Sequence, residues 1–203
     1  MNEHSTDFTE ISVIKENWFR RLALKKREIK YSSDSADPHR MIAVFGGSAH
    51  DGNSDTWKAA FNIGKALAER NAIIVNGGYG GVMEASAAGA SAVNGISIGI
   101  TCDNLPVREK NEYITEEWDL ERWDQRLISL VWLCDGYVVM PGSSGTLVEL
   151  SMVIETQLKG FIPRRPTVCY GNFWKSVVER INGTDGLVRF TKDVEETIFT
   201  LLG

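Results

Sequence analysis

Three glycine-rich turns, each at the end of a short apolar run, constrain the fold of this chain more than any other feature. The first follows residues 41–45, the second residues 72–75 and the third residues 137–140. The turns are Gly46-Gly47-Ser48, Gly77-Gly78-Tyr79-Gly80-Gly81 and Pro141-Gly142-Ser143-Ser144-Gly145-Thr146. A segment with helical periodicity follows each turn, and this succession is typical of βα units in a parallel sheet.

From Met41 onward, the pattern predicts an α/β fold with a doubly wound parallel sheet. The predicted strands are residues 41–45, 72–75, 96–101, 137–140 and 167–170. The predicted helices cover about residues 55–70, 82–93, 122–134, 145–159, 173–181 and 192–201. Residues 102–121 are predicted to form a polar loop, far longer than the usual 2–6 residues. Long loops at strand ends often cover or shape a site.

The first 40 residues differ in composition from the rest, and we expect them to form a helical extension and linker before one domain over residues 41–203. Apolar and basic residues alternate with helical periodicity over residues 8–30, which predicts an amphipathic helix. Residues 32–38 have the composition of a linker. Two interpretations stay open: a helix packed on the domain or on a partner subunit, and a basic arm that binds anions.

Composition excludes several classes of function. The net charge of −5 gives no global electrostatic reason to bind nucleic acid or an anionic membrane. No apolar run reaches 18 residues and no basic-then-apolar leader is visible, so a cytoplasmic protein is expected. Cys102, Cys134 and Cys169 are predicted to be buried thiols rather than disulfides or zinc ligands. The three histidines, His4, His39 and His50, are scattered and suggest no metal site.

The glycine-rich turns are candidates for binding a phosphate group. In an open α/β sheet, ligands bind at the carboxyl ends of the strands, where helix N-termini present unpaired N–H groups. A P-loop is excluded because the chain has no G-x-x-x-x-G-K-[ST] motif. The first turn also lacks G-x-G-x-x-G, and the second strand does not end in the acidic residue that a dehydrogenase uses for ribose. A nucleoside monophosphate or a sugar phosphate therefore fits better than NAD.

Two charged residues near the third turn are candidates for chemistry. Glu149 is predicted to lie on the first helical turn after the glycine-rich turn, and Arg126 lies on the preceding helix. Each also has a purely structural interpretation. An acid near a helix N-terminus complements the helix dipole, and Arg126 could form a surface ion pair with Asp124 or Glu121.

Taken together, these motifs resemble the LOG (Lonely Guy) phosphoribohydrolases, proteins long mislabelled lysine decarboxylases. The resemblance covers about residues 41–182 and includes the order and spacing of the motifs. It rests on Val44-Phe45-Gly46-Gly47-Ser48, on Gly77-Gly78-Tyr79-Gly80-Gly81-Val82-Met83-Glu84-Ala85, on Arg126, and on Pro141-Gly142-Ser143-Ser144-Gly145-Thr146-Leu147-Val148-Glu149. The last segment is similar to the PGGxGTxxE signature of that family.

The resemblance implies a Rossmann-like, three-layered fold and a hydrolase that splits a nucleoside 5′-monophosphate into free base and ribose 5-phosphate. No metal or organic cofactor is implied. Arg126 and Glu149 match the catalytic pair of the family. The matching substrate-binding positions are Gly47, Ser48, Gly77, Gly78, Met83, Gly142, Ser143, Ser144, Gly145 and Thr146.

The resemblance also implies a homodimer or a higher homo-oligomer. Two predicted helices carry more apolar residues than one face of a sheet needs. These residues are Leu127, Leu130, Val131, Trp132, Leu150, Met152, Val153 and Ile154.

The sequence departs from the family pattern at three places. The usual His-x-Arg-Lys is Asp124-Gln125-Arg126-Leu127, the glycine-aromatic pair is Ser143-Ser144, and the first acid of the Glu-Glu pair is Val148. We therefore expect a common nucleotide such as AMP, GMP or CMP as the substrate at least as much as a cytokinin nucleotide. The base of the substrate stays undetermined. The alternative is a non-catalytic protein of the same fold, a nucleotide or molybdenum-cofactor carrier or a nucleotide sensor, but retention of Arg126 and Glu149 favours the hydrolase.

Overall fold

The computed structural model describes residues 8–30, 39–49, 51–103 and 109–203. The predicted linker, His4, His50 and residues 104–108 of the predicted loop lie outside the described residues. The chain divides into two compact units, residues 1–38 and residues 39–203. In the first unit, helix α1 spans Phe8–Lys30 and confirms the predicted helix.

The second unit contains a seven-stranded sheet in which every described pair of neighbouring strands is parallel. The strands are β1 Met41–Phe45, β2 Ile73–Asn76, β3 Ser97–Cys102, β4 Glu116–Leu120, β5 Gly136–Val139, β6 Thr167–Tyr170 and β7 Arg189–Thr191. Their order is β4-β3-β2-β1-β5-β6-β7. The chain adds strands outward from β1 on one side and then from β5 on the other. The topological switch point therefore lies between β1 and β5.

The fold class is confirmed, but the count of five strands is wrong. Strand β4 lies within the segment predicted to be a polar loop, where it pairs with β3 from Ile98↔Glu116 to Cys102↔Leu120. Trp118 and Leu120 are buried on alternate positions, whereas the residue between them is exposed. Three acids in this edge strand made the alternation of buried and exposed side chains hard to recognise from the sequence. Strand β7 is only three residues long and was also missed.

The helices of the second unit follow the predicted positions, with one shortened. They are α2 Asp55–Ala68, α3 Val82–Ser91, α4 Trp123–Trp132, α5 Ser144–Leu158, α6 Lys175–Val178 and α7 Val194–Leu202. Helix α6 spans only four residues, whereas the prediction covered residues 173–181. Asp193 caps α7 by accepting a hydrogen bond from the backbone N–H of Glu196 at 2.8 Å.

Both faces of the central sheet are covered. One core cluster joins Ile42 and Val44 of β1 to residues of α2, α3 and α7, while the alternate β1 residues are equally buried and α5 contacts the same strand. Helices α2 and α3 touch closely because Gly64 and Gly89 lie between them. A Cβ at Gly64 would lie 2.1 Å from the carbonyl oxygen of Ser86, and one at Gly89 would lie 2.0 Å from that of Phe61. This contact fixes α3, whose first turn reaches the carboxyl edge of the sheet.

The three cysteines are free and buried, as predicted. Within the described ranges, no helix has both the length and the hydropathy needed to cross a bilayer. Six of the eight apolar residues behind the dimer prediction are buried within the chain: Leu127, Leu130, Val131, Leu150, Val153 and Ile154. They therefore need no second subunit to cover them, and the homodimer stays a prediction.

Candidate functional site

A cleft of about 240 Å³ lies where the carboxyl ends of β1, β2 and β5 meet, beside the switch point of the sheet. All three glycine-rich turns contribute to it. The lining residues are Val44, Phe45, Gly46, Ser48, Gly77, Tyr79, Met83, Trp123, Arg126, Ser143, Gly145, Thr146 and Glu149. This position is the one at which open α/β sheets bind their ligands.

Backbone hydrogen bonds tie the first turn to its neighbours. The N–H of Gly47 donates to the carbonyl oxygen of Pro141 at 3.0 Å, and the carbonyl oxygen of Gly47 accepts from the N–H of Val82 at 3.0 Å. Gly142 packs directly against the backbone of Gly47, which makes these hydrogen bonds. A Cβ at Gly142 would lie 2.3 Å from Oγ1 of Thr146 and 2.8 Å from the nitrogen of Gly47. The glycine-rich turns therefore hold one another in place at the edge of the cleft.

The N-terminus of α5 opens onto the cleft with free hydrogen-bonding capacity. Ser143 is the N-cap residue of this helix, yet its side chain makes no capping hydrogen bond. Ser143, Ser144 and Gly145 are all exposed, and a Cβ at Gly145 would meet nothing within 4 Å. No acid lies in the first turn of α5. Unpaired N–H groups, two hydroxyls and the positive end of the helix dipole together form a site suited to an anion.

Arg126 projects from α4 and is buried, with 7% of its surface exposed. Its Nε donates to the carbonyl oxygen of Ile100 at 2.7 Å and its Nη2 donates to that of Gly77 at 3.3 Å. The guanidinium carbon also lies 5.6 Å from the ring centroid of Tyr79. The surface ion-pair interpretation is therefore wrong. Asp124 instead pairs with Arg122, whose Nε lies 2.9 Å from the Asp124 carboxylate.

Glu149 lies on the second turn of α5, not the first as predicted, because the helix begins at Ser144. The dipole interpretation, which needs an acid in the first turn, loses its basis. Burial raises the pKa of Glu149 to about 7, although the positive charge of Arg126 acts in the opposite direction. A carboxyl group with such a pKa can exchange a proton near neutral pH, as a general acid or base must.

Eight of the twelve predicted site residues line the cleft: Ser48, Gly77, Met83, Arg126, Ser143, Gly145, Thr146 and Glu149. The other four, Gly47, Gly78, Gly142 and Ser144, lie in the same turns but do not line it. Gly78 has a positive φ of 78°, and its N–H donates to the Asn76 side-chain oxygen at 2.8 Å. Gly78 therefore shapes the turn.

Three aromatic residues of the cleft were not predicted to belong to it: Phe45, Tyr79 and Trp123. Trp123 precedes Arg126 by about one helical turn, and this spacing could have indicated that both face the same side. Tyr79 lies within the second glycine-rich turn. Its hydroxyl lies 3.3 Å from the backbone nitrogen of Cys102, which fixes the ring beneath the guanidinium. In the part of the chain that the structure describes, no cluster of metal-ligating side chains is present.

Comparison with known proteins agrees with this fold. The model of the SLOG cluster4 family matches residues 39–189. An uncharacterized protein of Archaeoglobus fulgidus is 28% identical over 133 residues, which are 64% of this chain and 84% of that protein. An Arabidopsis thaliana protein named cytokinin riboside 5′-monophosphate phosphoribohydrolase LOG3 is 34% identical over 133 residues, 63% of this chain. The aligned region spans 60% of the length of that plant relative.

Among solved structures, the molybdenum cofactor binding protein of Rippkaea orientalis is similar in fold, with a TM-score of 0.67 and 21% identity. The likeness covers 79% of this chain and 94% of that one. The family match extends over most of the second unit, including all three glycine-rich turns, Arg126 and Glu149. The resemblance to LOG-type proteins is thereby confirmed, and this chain belongs to the SLOG cluster4 family.

Proposed function

We propose that this protein hydrolyses the N-glycosidic bond of a nucleoside 5′-monophosphate and releases the free base and ribose 5-phosphate. One observation carries the proposal. Glu149, whose pKa is raised to about 7, lines the same small cleft as the buried Arg126 and the open N-terminus of α5. Phosphate binding alone would not require this carboxyl group, because a carboxylate repels an anion.

The phosphate of the substrate is assigned to the N-terminus of α5. The exposed residues Ser143 and Gly145 and the buried Thr146 offer N–H and hydroxyl donors there. This contact lies away from the bond that breaks, so its binding energy can be used to orient the ribose. Unphosphorylated nucleosides should therefore be poor substrates.

Glu149 is assigned to act at C1′ of the ribose. Glycosidic cleavage passes through an oxocarbenium-like state, and a nearby carboxylate stabilises its positive charge. Water adds to C1′ as the bond to the base nitrogen breaks, and Glu149 accepts one proton from that water. The base leaves with the bonding electron pair and takes up a proton, so the net reaction consumes one water.

Arg126 is assigned to the electron-rich parts of the substrate. A guanidinium beside C1′ would oppose the developing positive charge, whereas near the phosphate or the departing base it neutralises negative charge. Its two hydrogen bonds to carbonyl groups fix its position before substrate binds. Trp123, with 45% of its surface exposed in the same cleft, offers a face on which a base can stack.

A substrate panel tests the proposal. AMP, GMP, CMP and a cytokinin riboside monophosphate are incubated with the protein, and free base and ribose 5-phosphate are quantified by chromatography. The matching nucleosides without phosphate are the controls. Base release from at least one monophosphate, and little from its nucleoside, is the expected result. No release from any monophosphate, or equal release from the nucleosides, would contradict it.

The second candidate is a carrier or sensor of a nucleotide-derived ligand. It is supported by the two exposed serines at the N-terminus of α5, which add hydroxyl donors for a bulky anionic ligand. The similar Rippkaea orientalis protein is described as molybdenum cofactor binding, although at 21% identity the likeness concerns the fold. Tight binding of a phosphorylated pterin, with no base release from any monophosphate, would favour this function over hydrolysis.

A further inference from the structure

A second cavity, of about 360 Å³, lies at the opposite edge of the sheet from the cleft. It is bordered by the residues that lead into β6, by the beginning of β7 and by the last turns of α7. Its lining residues are Arg164, Arg165, Pro166, Thr167, Gly186, Leu187, Arg189, Phe199 and Thr200, and we call it the arginine cavity. Parallel strands begin here, whereas the cleft lies where they end.

The charge of the arginine cavity is unusual for this chain. Acids outnumber Lys and Arg by 27 to 22 overall, yet the lining contains three arginines and no acid. The lining of the cleft, by contrast, has one arginine and one glutamate. Three like charges around one small volume repel each other, and an anion between them would remove that repulsion.

Two of these arginines have no partner among the residues that the structure describes. The side chains of Arg164 and Arg189 are exposed and make no hydrogen bond or ion pair within the described chain. Both line the same cavity, because the pairing of Arg189 with Val168 brings the beginning of β7 beside the segment that leads into β6. Two guanidinium groups with all their donors available are suited to bind phosphate oxygens in pairs.

The third arginine is held rigidly. The two N–H groups of Nη1 of Arg165 point among several acceptors: Nη1 lies 3.1 and 3.0 Å from the carbonyl oxygens of Val131 and Trp132 and 3.0 Å from the hydroxyl of Tyr137. It thereby caps the C-terminal end of α4. Its positive charge is fixed beside the cavity without any ligand, which lowers the entropic cost of binding an anion.

Phe199 adds an apolar surface to the same cavity. With 73% of its side chain exposed, it is the most exposed large hydrophobic residue in the described chain. A ligand that combines phosphate with an apolar or planar group would cover this ring while its charge meets the arginines.

We infer that the arginine cavity is a second anion-binding site, built for a phosphorylated small molecule. None of its residues lines the cleft, so the inference stands whether or not the cleft hydrolyses nucleotides. Phosphate rather than carboxylate is assigned because three guanidinium groups can meet several oxygens of one multiply charged anion.

Inorganic pyrophosphate is the probe, titrated calorimetrically into the full chain at low salt. Arg164→Ala and Arg189→Ala should each weaken binding by about tenfold or more, the loss of one charge-assisted contact. In a background that also carries Ser143→Asp, which keeps anions out of the cleft, the double variant should show no measurable binding. Arg180→Ala removes another exposed arginine, one outside the cavity, and should bind as the wild type does. Melting temperatures without anion should agree among these variants. If the Ala double variant is unfolded, a double variant with Gln at positions 164 and 189 replaces it, because Gln also removes both charges.

Ser143→Asp distinguishes the two sites, because it places a negative charge at the N-terminus of α5 and should repel anions only from the cleft. Wild-type affinity in this variant supports the arginine cavity, and loss of affinity overturns it. Citrate distinguishes phosphate from carboxylate ligands. No binding of pyrophosphate at millimolar concentration, equal binding by the double variant, or stronger binding of citrate through the same arginines would overturn the inference.

Discussion

Arg126 and Gly77 fit against each other so closely that no side chain at position 77 is compatible with the observed guanidinium. Nη2 of Arg126 donates to the carbonyl oxygen of Gly77 at 3.3 Å, and a Cβ on Gly77 would lie 1.8 Å from that nitrogen. The glycine of the second turn therefore makes room for a buried arginine, in addition to any approach of the backbone to a phosphate group.

Gly77→Ala should displace Arg126 and lower kcat/KM by about a hundredfold, the usual effect of misplacing a catalytic group by about 1 Å. The cost in stability should be modest, about 1–3 kcal/mol, because the end of a side chain can move aside. Gly80→Ala in the same turn is the matched control, since its Cβ would make only ordinary contacts, at 3.7 Å and beyond. Equal kinetics for both variants would show that the position of Arg126 is unimportant.

Gly145→Ala separates a ligand effect from a folding effect. A Cβ at this position meets nothing within 4 Å and lies in the first turn of α5, where alanine is favoured over glycine by up to about 1 kcal/mol. Unfolding in urea should therefore show equal or greater stability. Because the new methyl group enters the space assigned to the phosphate, KM for the best monophosphate should rise about tenfold or more. An unchanged KM would show that the phosphate does not bind at this turn.

Glu149→Gln should stabilise the fold above neutral pH. The folded-state pKa of about 7 is above the ordinary glutamate pKa of 4.5, so the folded protein binds the proton more tightly than the unfolded chain. Stability therefore falls as pH rises from about 4.5 to 7, by roughly 3 kcal/mol in total. Urea unfolding at pH 5 and pH 8.5 should show this loss in the wild type and in Glu155→Gln, an exposed position on the same helix, but not in Glu149→Gln.

The dependence of rate on pH follows from the same carboxyl group. If Glu149 accepts a proton, kcat/KM should rise about tenfold per pH unit below pH 6 and level off above 7. Steady-state assays with the best monophosphate from pH 5 to 9 measure this limb. A rate that instead falls through pH 7 would assign Glu149 as a proton donor to the base.

Trp123→Ala should weaken substrate binding more than it slows the chemical step. Stacking on an aromatic ring contributes about 1–3 kcal/mol per base, so KM should rise at least about fivefold, with a smaller change in kcat. Trp123→Phe should recover most of the loss. Since Trp123 is 45% exposed, stability should change by less than about 0.5 kcal/mol. An unaltered KM in the alanine variant would place the base elsewhere.

The sequence predicted the features that depend on local pattern. The glycine-rich turns and the strands before them follow from the βα succession, because parallel strands end at one edge. The prediction that Arg126 and Glu149 belong to one site rested on the resemblance to the LOG family. The features that the sequence did not predict depend on contacts between segments that are distant in the sequence. Strand β4 has a charged, exposed face, so the alternation of buried and exposed side chains is hard to recognise in its sequence. Its pairing with β3 makes the alternation clear. The close contact between Arg126 and Gly77 joins residues 49 positions apart, and no local sequence pattern indicates it.

The arginine cavity illustrates the same limit. Arg164 and Arg189 are 25 positions apart in the sequence, and only the pairing of β6 with β7 brings them to one cavity. The net charge of the whole chain is negative, so it does not reveal these positive charges. Net charge therefore indicated no anion site here, although the local charge is strongly positive.

The most direct test of the central proposal compares wild type and Glu149→Gln with one monophosphate in a single-turnover experiment, with binding measured separately by calorimetry. We expect the wild type to release the base, and Glu149→Gln to bind the nucleotide with similar or higher affinity while releasing the base at least about a thousandfold more slowly. Equal release by the two proteins, or binding by both with no release by either, would contradict the assignment of this cleft as a hydrolase site.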